Sequence, residues 1–306
     1  NTAPPTKIML YNTPPRPPTP NRLFNCPSGR GPNQDVSFID LFFLAISTVS
    51  VTGLTTISLT DVFNHNGIIL LEILFQIGGL GIMMFSTFFA IVSRRKISLK
   101  QRQLIMTDMN QPRLSGIVKM IRTTFTILLI VQAIAGSLFA IYFKLGGYYK
   151  QWSSAFFYGF YQAISSVTNS GFDVTGDSIL PFAKDGFFLI GIMFLIVIGG
   201  IGFPVLMDLH EYSLHVLHKK RRRLPFRFSL FTKIASLAFV VLFVVGAAAI
   251  YFLEKDHLFV SMSFGEQLLN SSFYSITTRN AGLQIHDLNQ FQITTLMLFS
   301  LLMFIG

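Results

Sequence analysis

Apolar residues fall along this chain in long blocks that are separated by polar and basic segments. Five blocks approach the roughly 20 residues that a helix needs to cross the hydrocarbon core of a bilayer. They lie at about 67–92, 124–143, 187–209, 230–253 and 290–306. Three shorter blocks, at 38–49, 155–167 and 264–276, hold roughly 12 residues each, which is too few to span. These short blocks are predicted to form buried or re-entrant helices.

The composition supports a membrane protein. The 306 residues are 51% hydrophobic and 12% charged, and this charged share is half of the roughly 25% that is usual in soluble domains. This ratio of hydrophobic to charged residues excludes a soluble domain with a single core and also a disordered chain. Residues 1–36 differ from the rest, because they include nine prolines and no long apolar run, and they are predicted to be disordered. The single cysteine, Cys26, excludes a disulfide framework.

Basic residues are concentrated in two segments. Fifteen of the 24 lysines and arginines lie at 94–122 and 219–233. Because basic loops stay on the cytoplasmic side of a membrane, the loops 94–122 and 219–227 are predicted to be cytoplasmic and the three short helices to lie toward the outside. This orientation accounts for the net charge of +10, and no nucleic-acid partner is expected.

A motif that contains glycine ends each short block. Residues 45–54 and 163–172 share five identities, and residues 274–283 keep the glycine and a Ser/Thr-rich run. The glycines in register are Gly53, Gly171 and Gly282. A Gly-Gly-x-Gly motif follows in two of the long blocks, at 78–81 and 199–202. The chain therefore repeats a unit that consists of a helix, a half-helix, a glycine turn and a second helix.

This repeating unit is typical of a cation pore. A half-helix that ends at mid-membrane directs the partial negative charge of its C-terminus toward a cation. Glycine permits backbone dihedrals that turn consecutive carbonyls toward an axis, where they replace the hydration shell of an ion. Non-helical backbone at membrane depth is tolerated only where it is buried in protein or lines such a cavity. The predicted fold is an all-α membrane protein with a carbonyl-lined pore.

The motifs resemble those of the Trk/Ktr/HKT superfamily of potassium transporters, and most closely the bacterial Ktr-type membrane subunit. The resemblance rests on the three glycine motifs, on Gln76–Gly81 and on Asn110–Pro112. It implies repeated helix–pore half-helix–filter loop–helix units around a pseudo-fourfold cation pore, with three of four units present. It also implies a homodimer in the lipid bilayer of the cell membrane, controlled by a cytosolic ring-forming nucleotide-binding regulatory subunit. Neither an enzymatic activity nor a bound cofactor is expected.

The resemblance also assigns residues to the potassium filter. The implied filter residues are Ser50, Val51, Thr52 and Gly53 in the first loop, Thr168, Asn169, Ser170 and Gly171 in the second, and Arg279, Asn280, Ala281 and Gly282 in the third. Glycine at all three turns is implied to favour potassium. The first alternative is a sodium or mixed sodium/potassium transporter of the same fold, and the second is an unrelated polytopic permease.

Charged residues near these loops each have two interpretations. Arg279 either points away from the pore and pairs with a carboxylate or with carbonyls, or gates the pore directly. Glu72 is a buried partner for Arg279, a polar residue that snorkels to the membrane surface or an ion-attracting vestibule group. Asp173 is either a vestibule group or a solvated turn residue. His210 and His215 are five residues apart, which misses the shared helix face of a zinc motif, so no transition-metal site is expected.

The repeats divide the chain into six predicted segments. They are the Pro-rich segment 1–36, the first repeat at 37–93, the basic loop 94–122, the second repeat at 123–218, the basic linker 219–227 and the third repeat at 228–306. Against the four-unit pattern of the superfamily, the first helix of the first repeat and the whole fourth repeat are missing, and the third repeat is truncated in its last helix. The chain is therefore expected to be a fragment of a longer transporter.

Overall fold

The computed structural model of the protein describes residues 37–57, 59–79, 117–173, 178–217 and 226–305, with the single residues 81, 89, 93 and 103. Within these ranges the regular structure is helical and includes no β-strand. The segment 1–36, which is predicted to be disordered, lies outside the described residues, as do most of the basic loop 94–122 and most of the linker 219–227.

The described part of the chain forms ten α-helices and two 3-10 turns. The helices are α1 (Phe38–Val49), α2 (Leu59–Val62), α3 (His65–Gly79), α4 (Ile117–Leu145), α5 (Trp152–Thr168), α6 (Gly186–Gly200), α7 (Phe203–Leu217), α8 (Leu230–Glu254), α9 (Phe264–Asn280) and α10 (Ile293–Ile305). The 3-10 turns lie at Leu180–Phe182 and Leu288–Gln290.

The three short helices lie where the apolar blocks predict them. α1 has the predicted bounds, while α5 starts three residues before its block and α9 continues four residues beyond its block. The side chain of Ser37 caps the first helix, and Ser263 with Glu266 forms a capping box at the start of the third. These caps satisfy backbone N–H groups that have no partner inside the helix. Helix starts are therefore encoded locally in the first and third units.

One long block forms a broken helix rather than a straight span. The segment 187–209, predicted as a single helix, is divided between α6 and α7, which meet at an angle of 104°. The break includes Gly202, whose φ of +94° is incompatible with a right-handed helix, and Pro204 follows two residues later. Pro204, two residues after the Gly-Gly-x-Gly motif, predicts a kink in this helix, and the structure has a break there. The apolar length of the block does not give the angle of the bend. By contrast, Val118–Leu145 and Leu230–Glu254 are each long and apolar enough to cross a membrane.

The helices of successive units pack in a repeated order. α3 packs against α1 of its own unit and against α5 of the second unit, and α6 packs in the same way against α5 and α9. On α3, the buried Phe75 ring meets the ring of Tyr161 edge-on, with centroids 5.7 Å apart. Each helix that follows a glycine loop therefore bridges the short helix of its own unit and that of the next.

A buried carboxylate joins two helices of the third unit. Glu254, the last residue of α8, is fully buried. Its Oε1 accepts hydrogen bonds from the backbone N–H of Gln292 (3.0 Å) and from the hydroxyl of Thr295 (2.5 Å), at the start of α10. Its Oε2 lies 3.2 Å from Nδ1 of His257. The carboxylate thus holds the end of one helix against the beginning of another.

Replacing this carboxylate is expected to destabilise the protein. Glu254→Ala leaves the Gln292 N–H and the Thr295 hydroxyl without an acceptor, at a cost of roughly 1–3 kcal/mol for each buried group. We expect a clear fall in the melting temperature of the detergent-solubilised protein. Asp256→Ala is the control, since that side chain is 85% exposed and its ion pair with Lys255 is long, at 3.8 Å. Equal melting temperatures for the two variants would show that Glu254 does not hold the helices together.

Candidate functional site

Each of the three short helices leads into a loop with a glycine in the left-handed region. The φ angles are +74° at Gly53, +72° at Gly171 and +68° at Gly282. Residues with a Cβ rarely adopt such angles, whereas glycine does so at no steric cost. The three glycines that the sequence places in register therefore share one backbone conformation.

The three loops lie side by side in chain order. A Cβ added to Gly53 would lie 2.7 Å from the carbonyl oxygen of Ser170 and 3.1 Å from the Cα of Gly171. A Cβ added to Gly171 would lie 2.5 Å from the carbonyl oxygen of Ala281. Each of these two glycines thus faces a backbone carbonyl of the next loop, with no room for a side chain. A Cβ on Gly282 meets no atom of the described residues within 4 Å.

The first two loops also share a second left-handed residue. Val51 has a φ of +56° and Asn169 a φ of +55°, each two residues before the glycine. This conformation is uncommon for residues other than glycine, and especially for a β-branched valine. In the orientation that satisfies both polar atoms of its amide, the Asn169 side chain donates to the Ser166 carbonyl (3.1 Å) and accepts from the Gly200 N–H (3.2 Å).

The third loop has a different conformation. Arg279 and Asn280, predicted as filter-strand residues, lie in the last turn of α9, and Ala281 caps the helix with a right-handed conformation. The N–H groups of Ala281 (2.9 Å) and Gly282 (2.8 Å) both donate to the carbonyl oxygen of Thr277. These bonds extend the helical turn up to the glycine, so the third loop is shorter than the other two.

The predicted filter residues differ in burial. In the second loop, Thr168 and Ser170 are buried, at 6% and 0% exposure. In the first loop, Ser50 and Thr52 are exposed, and their hydroxyl oxygens lie 2.5 Å apart. All three short helices end at these loops, so the partial negative charges of their C-termini converge there. The backbone arrangement therefore favours a cation.

Arg279 is held beside this site by a helix carbonyl and an aromatic ring. Its Nε donates to the Ser275 carbonyl oxygen (3.2 Å), and its guanidinium carbon lies 4.0 Å from the centroid of the Phe239 ring. The predicted carbonyl pairing is therefore observed. No ion pair joins Arg279 to Glu72 in the part of the chain that the structure describes, so this alternative for Glu72 is not observed.

Glu72 and Asp173 come together around a buried phenol instead. The hydroxyl of Tyr161, which is 1% exposed, lies within electrostatic range of both carboxylates. Neither that hydroxyl nor Oε1 of Glu72 has a hydrogen-bond partner among the described residues. Gln76, one turn after Glu72, forms a reciprocal amide pair with Gln132 of α4, at 3.0 and 3.2 Å. The two acids thus share one buried neighbour, and Glu72 lies one helical turn from the amide link between α3 and α4.

A histidine near the third loop contributes no positive charge at neutral pH. Burial lowers the pKa of His286 below its usual value of 6.5, so its ring is neutral at pH 7. Its backbone N–H donates to the hydroxyl of Tyr274 (2.8 Å), which is buried on α9. His286 therefore anchors the segment that follows the third glycine without repelling a cation.

The Gly-Gly pairs are packed against the ends of the short helices. A Cβ on Gly78 would overlap the carbonyl of Val49, and a Cβ on Gly79 would lie 2.6 Å from Cβ of Thr168. Gly199 faces the carbonyl of Val167 in the same way as Gly78 faces Val49. The sequence predicts close helix packing at these glycines, but it does not show that the packed surface is the backbone that leads into the loops.

The comparisons with known proteins agree with this arrangement. Residues 25–306 match the TrkH family, whose description is a cation transport protein. The chain belongs to the TrkH family of cation transport proteins. Membership confirms the predicted superfamily, the all-α membrane fold and the class of transporter rather than enzyme.

Several relatives in this family are potassium uptake proteins. The chain is 40% identical over 284 residues to Ktr system potassium uptake protein D of Bacillus subtilis, which covers 93% of this chain and 62% of the relative. It is 32% identical to Ktr system potassium uptake protein B of the same species and 31% identical to potassium/sodium uptake protein NtpJ of Enterococcus hirae. Each of these two matches covers 89% of this chain and 58% of the relative. The chain thus spans about three fifths of the length of these relatives.

A solved structure shows the same fold. The crystal structure of the potassium transporter TrkH from Vibrio parahaemolyticus superposes with a TM-score of 0.56 at 16% identity. The superposition covers 87% of this chain and 49% of the TrkH chain. At this identity the superposition shows a shared fold.

The packing of Gly199 leads to a testable prediction. Gly199→Ala places a methyl group on the Val167 carbonyl, whereas Gly186→Ala in the same helix brings its methyl only to 3.6 Å from a Leu269 methyl group. Overpacking of this kind costs about 1–3 kcal/mol. We expect Gly199→Ala to lower the melting temperature in detergent and Gly186→Ala to leave it unchanged. If both variants have the melting temperature of the unaltered protein, the close packing of Gly199 against the Val167 carbonyl is wrong.

Proposed function

We propose that this chain forms part of the ion pathway of a potassium uptake transporter in the cell membrane. The observation that supports the proposal best is the meeting of three glycine loops, each at the C-terminus of a short helix and each with its glycine at a φ near +70°. Potassium binds to backbone carbonyls of residues 50–52, 168–170 and 279–281, while Gly53, Gly171 and Gly282 supply the turns. Potassium passes in single file, driven by the membrane potential and its own gradient.

The chemistry of the loops suits an ion that must lose its hydration shell. Carbonyl dipoles and helix C-termini replace the water of a monovalent cation without binding it so tightly that it cannot leave. In this proposal Glu72 and Asp173, which both lie within electrostatic range of Tyr161, raise the local concentration of cations. The Arg279 guanidinium stacks on the Phe239 ring, and in this proposal it does not line the ion pathway.

The space beside Gly282 fits a ring of loops that has one further loop. A Cβ on Gly53 or on Gly171 would meet a carbonyl of the next loop, whereas a Cβ on Gly282 meets no described atom within 4 Å. In this proposal a fourth loop of the full-length transporter completes the ring at that side. The proposal also includes a homodimer and a cytosolic ring of nucleotide-binding regulatory subunits that docks on the cytoplasmic basic loops 94–122 and 219–227 and gates the pathway.

Sodium is the second candidate ion. One of the relatives is named a potassium/sodium uptake protein, and a carbonyl ring distinguishes the two ions only by the number and arrangement of its ligands. The glycine at position 53 favours potassium in this proposal. A mixed specificity would show as uptake of both ions by the unaltered protein.

Growth on limiting potassium tests this function. The chain, joined to the remaining length of a Ktr relative, is expressed in a bacterial strain that lacks potassium uptake, and growth is measured against external potassium. We expect rescue by the unaltered sequence. Gly53→Ser places its Cβ 2.7 Å from the Ser170 carbonyl, and a cost of about 1.4 kcal/mol raises the potassium needed for half-maximal growth about tenfold.

Gly265→Ser is the control for this experiment. Gly265 is exposed in the first turn of α9, and a Cβ there meets no described atom within 4 Å. It should rescue growth like the unaltered sequence. Absence of rescue by the unaltered sequence, or equal growth with Gly53→Ser and Gly265→Ser, would refute a potassium filter at these loops.

A further inference from the structure

Adjacent hydroxyl residues occur near the end of all three short helices. The pairs are Ser47-Thr48 on α1, Ser165-Ser166 on α5 and Thr277-Thr278 on α9. The second hydroxyl of every pair donates to the carbonyl four residues earlier in its own helix, at 2.6, 2.7 and 2.6 Å respectively. The first hydroxyl of every pair has a different partner, which lies in the glycine loop.

The first hydroxyls all donate to the carbonyl that directly follows the loop glycine. The bonds are Ser47 Oγ to Leu54 O (2.7 Å), Ser165 Oγ to Phe172 O (2.5 Å) and Thr277 Oγ1 to Leu283 O (3.0 Å). The same chemical contact therefore occurs in three units whose sequences differ at most of the surrounding positions.

The same three residues also hold the loop on the other side of the turn. The carbonyl oxygen of Ser47 accepts from the N–H of Thr52 (2.9 Å), and that of Ser165 accepts from the N–H of Ser170 (3.0 Å), in both cases just before the glycine. In the shorter third loop, the Thr277 carbonyl accepts from the glycine N–H itself (2.8 Å). One residue of each helix thus clasps its loop at two points. We call Ser47, Ser165 and Thr277 the clasp residues.

The clasp residues are almost entirely buried. Ser165 is 0% exposed, Thr277 1% and Ser47 4%. Where water is excluded, a carbonyl that loses its donor has no replacement partner, and the orientation of its peptide plane is no longer determined. The clasp bonds therefore control the geometry of the turn more strongly than exposed hydrogen bonds would.

We propose that the three clasp hydroxyls position the ion-binding carbonyls, and that discrimination between potassium and sodium depends on them. This inference rests on the proposed function and adds the residues that set its selectivity. By engaging the carbonyl after the glycine, each hydroxyl turns that oxygen toward the short helix and away from the other loops. The ring of ligands then ends at the glycine, and its number of carbonyls is fixed.

The physical basis is the sensitivity of ion selectivity to ligand number and mobility. Sodium is smaller than potassium, so it gains when carbonyls are free to move inward. Loss of a clasp hydroxyl frees one carbonyl and loosens the peptide planes on both sides of the glycine. The second loop is expected to respond most, because Ser165 also contacts the buried Ser170 hydroxyl at 2.9 Å.

The test compares each clasp residue with its neighbour. Ser165→Ala and Thr277→Val remove a clasp hydroxyl, and Thr277→Val keeps the size of the side chain. Ser166→Ala and Thr278→Val remove the adjacent hydroxyl, which binds only within its helix or to Gln162. Thr277→Ser keeps the clasp hydroxyl and serves as the rescue variant.

The measurement is potassium uptake into liposomes that contain the full-length transporter, with sodium as competitor. Net loss of one hydrogen bond corresponds to about a threefold to tenfold change in an equilibrium ratio. We expect the potassium-to-sodium ratio to fall by this factor in Ser165→Ala and Thr277→Val. It should change by less than about twofold in the neighbours and in Thr277→Ser, where the clasp bond is intact.

The outcomes separate the clasp from the proposed function. If the unaltered protein takes up potassium in preference to sodium and the clasp variants match their neighbours, the clasp role is wrong and the transport function stands. If the unaltered protein takes up both ions without preference, the selectivity role of the clasp is wrong and the mixed transport function stands. If it takes up no potassium, the proposed function fails. If size-exclusion chromatography detects no folded protein for the two clasp variants but does for their neighbours, the hydroxyls are structural and the selectivity role is overturned.

Discussion

The glycine loops are non-helical backbone at the ends of short helices, and backbone of this kind has no water to bind inside a membrane. Each N–H and C=O in these loops must therefore find a partner in the protein or line a cavity. The rest of the described structure follows from this requirement. Clasp hydroxyls bind the carbonyls after the glycines, helix carbonyls bind the N–H groups before or at the turns, and the Asn169 amide satisfies a helix carbonyl and the Gly200 N–H.

The same requirement explains why glycine has two separate roles in each of the first two units. The loop glycine is needed for its φ angle, whereas the Gly-Gly pair on the next helix is needed for space. Gly78 and Gly199 bring that helix against the carbonyls of Val49 and Val167, so the loops rest on a rigid surface. Two different properties of one residue, conformational freedom and small size, therefore support a single site.

The third unit meets these needs with a different geometry. Its helix continues to Asn280, its loop has one left-handed residue in place of two, and Arg279 occupies its last turn. The Arg279 guanidinium stacks on Phe239, and its Nε donates to the Ser275 carbonyl of its own helix. The three units are thus equivalent at their clasp residues and different in the backbone between clasp and glycine.

The sequence by itself determined the short helices, the two long spans of α4 and α8 and the register of the three glycines. Apolar length and the need for a positive φ are local properties, which adjacent residues specify. Tertiary structure decided the 104° angle between α6 and α7, the partner of Arg279 and the carbonyls that the clasp hydroxyls reach. Gly202 and Pro204 mark where the helix breaks, but the angle between its two halves depends on what packs against each of them. A hydrogen bond between a helix and a loop depends on where the loop turns back over the helix. The periodicity of the sequence specifies neither that position nor the angle of the bend.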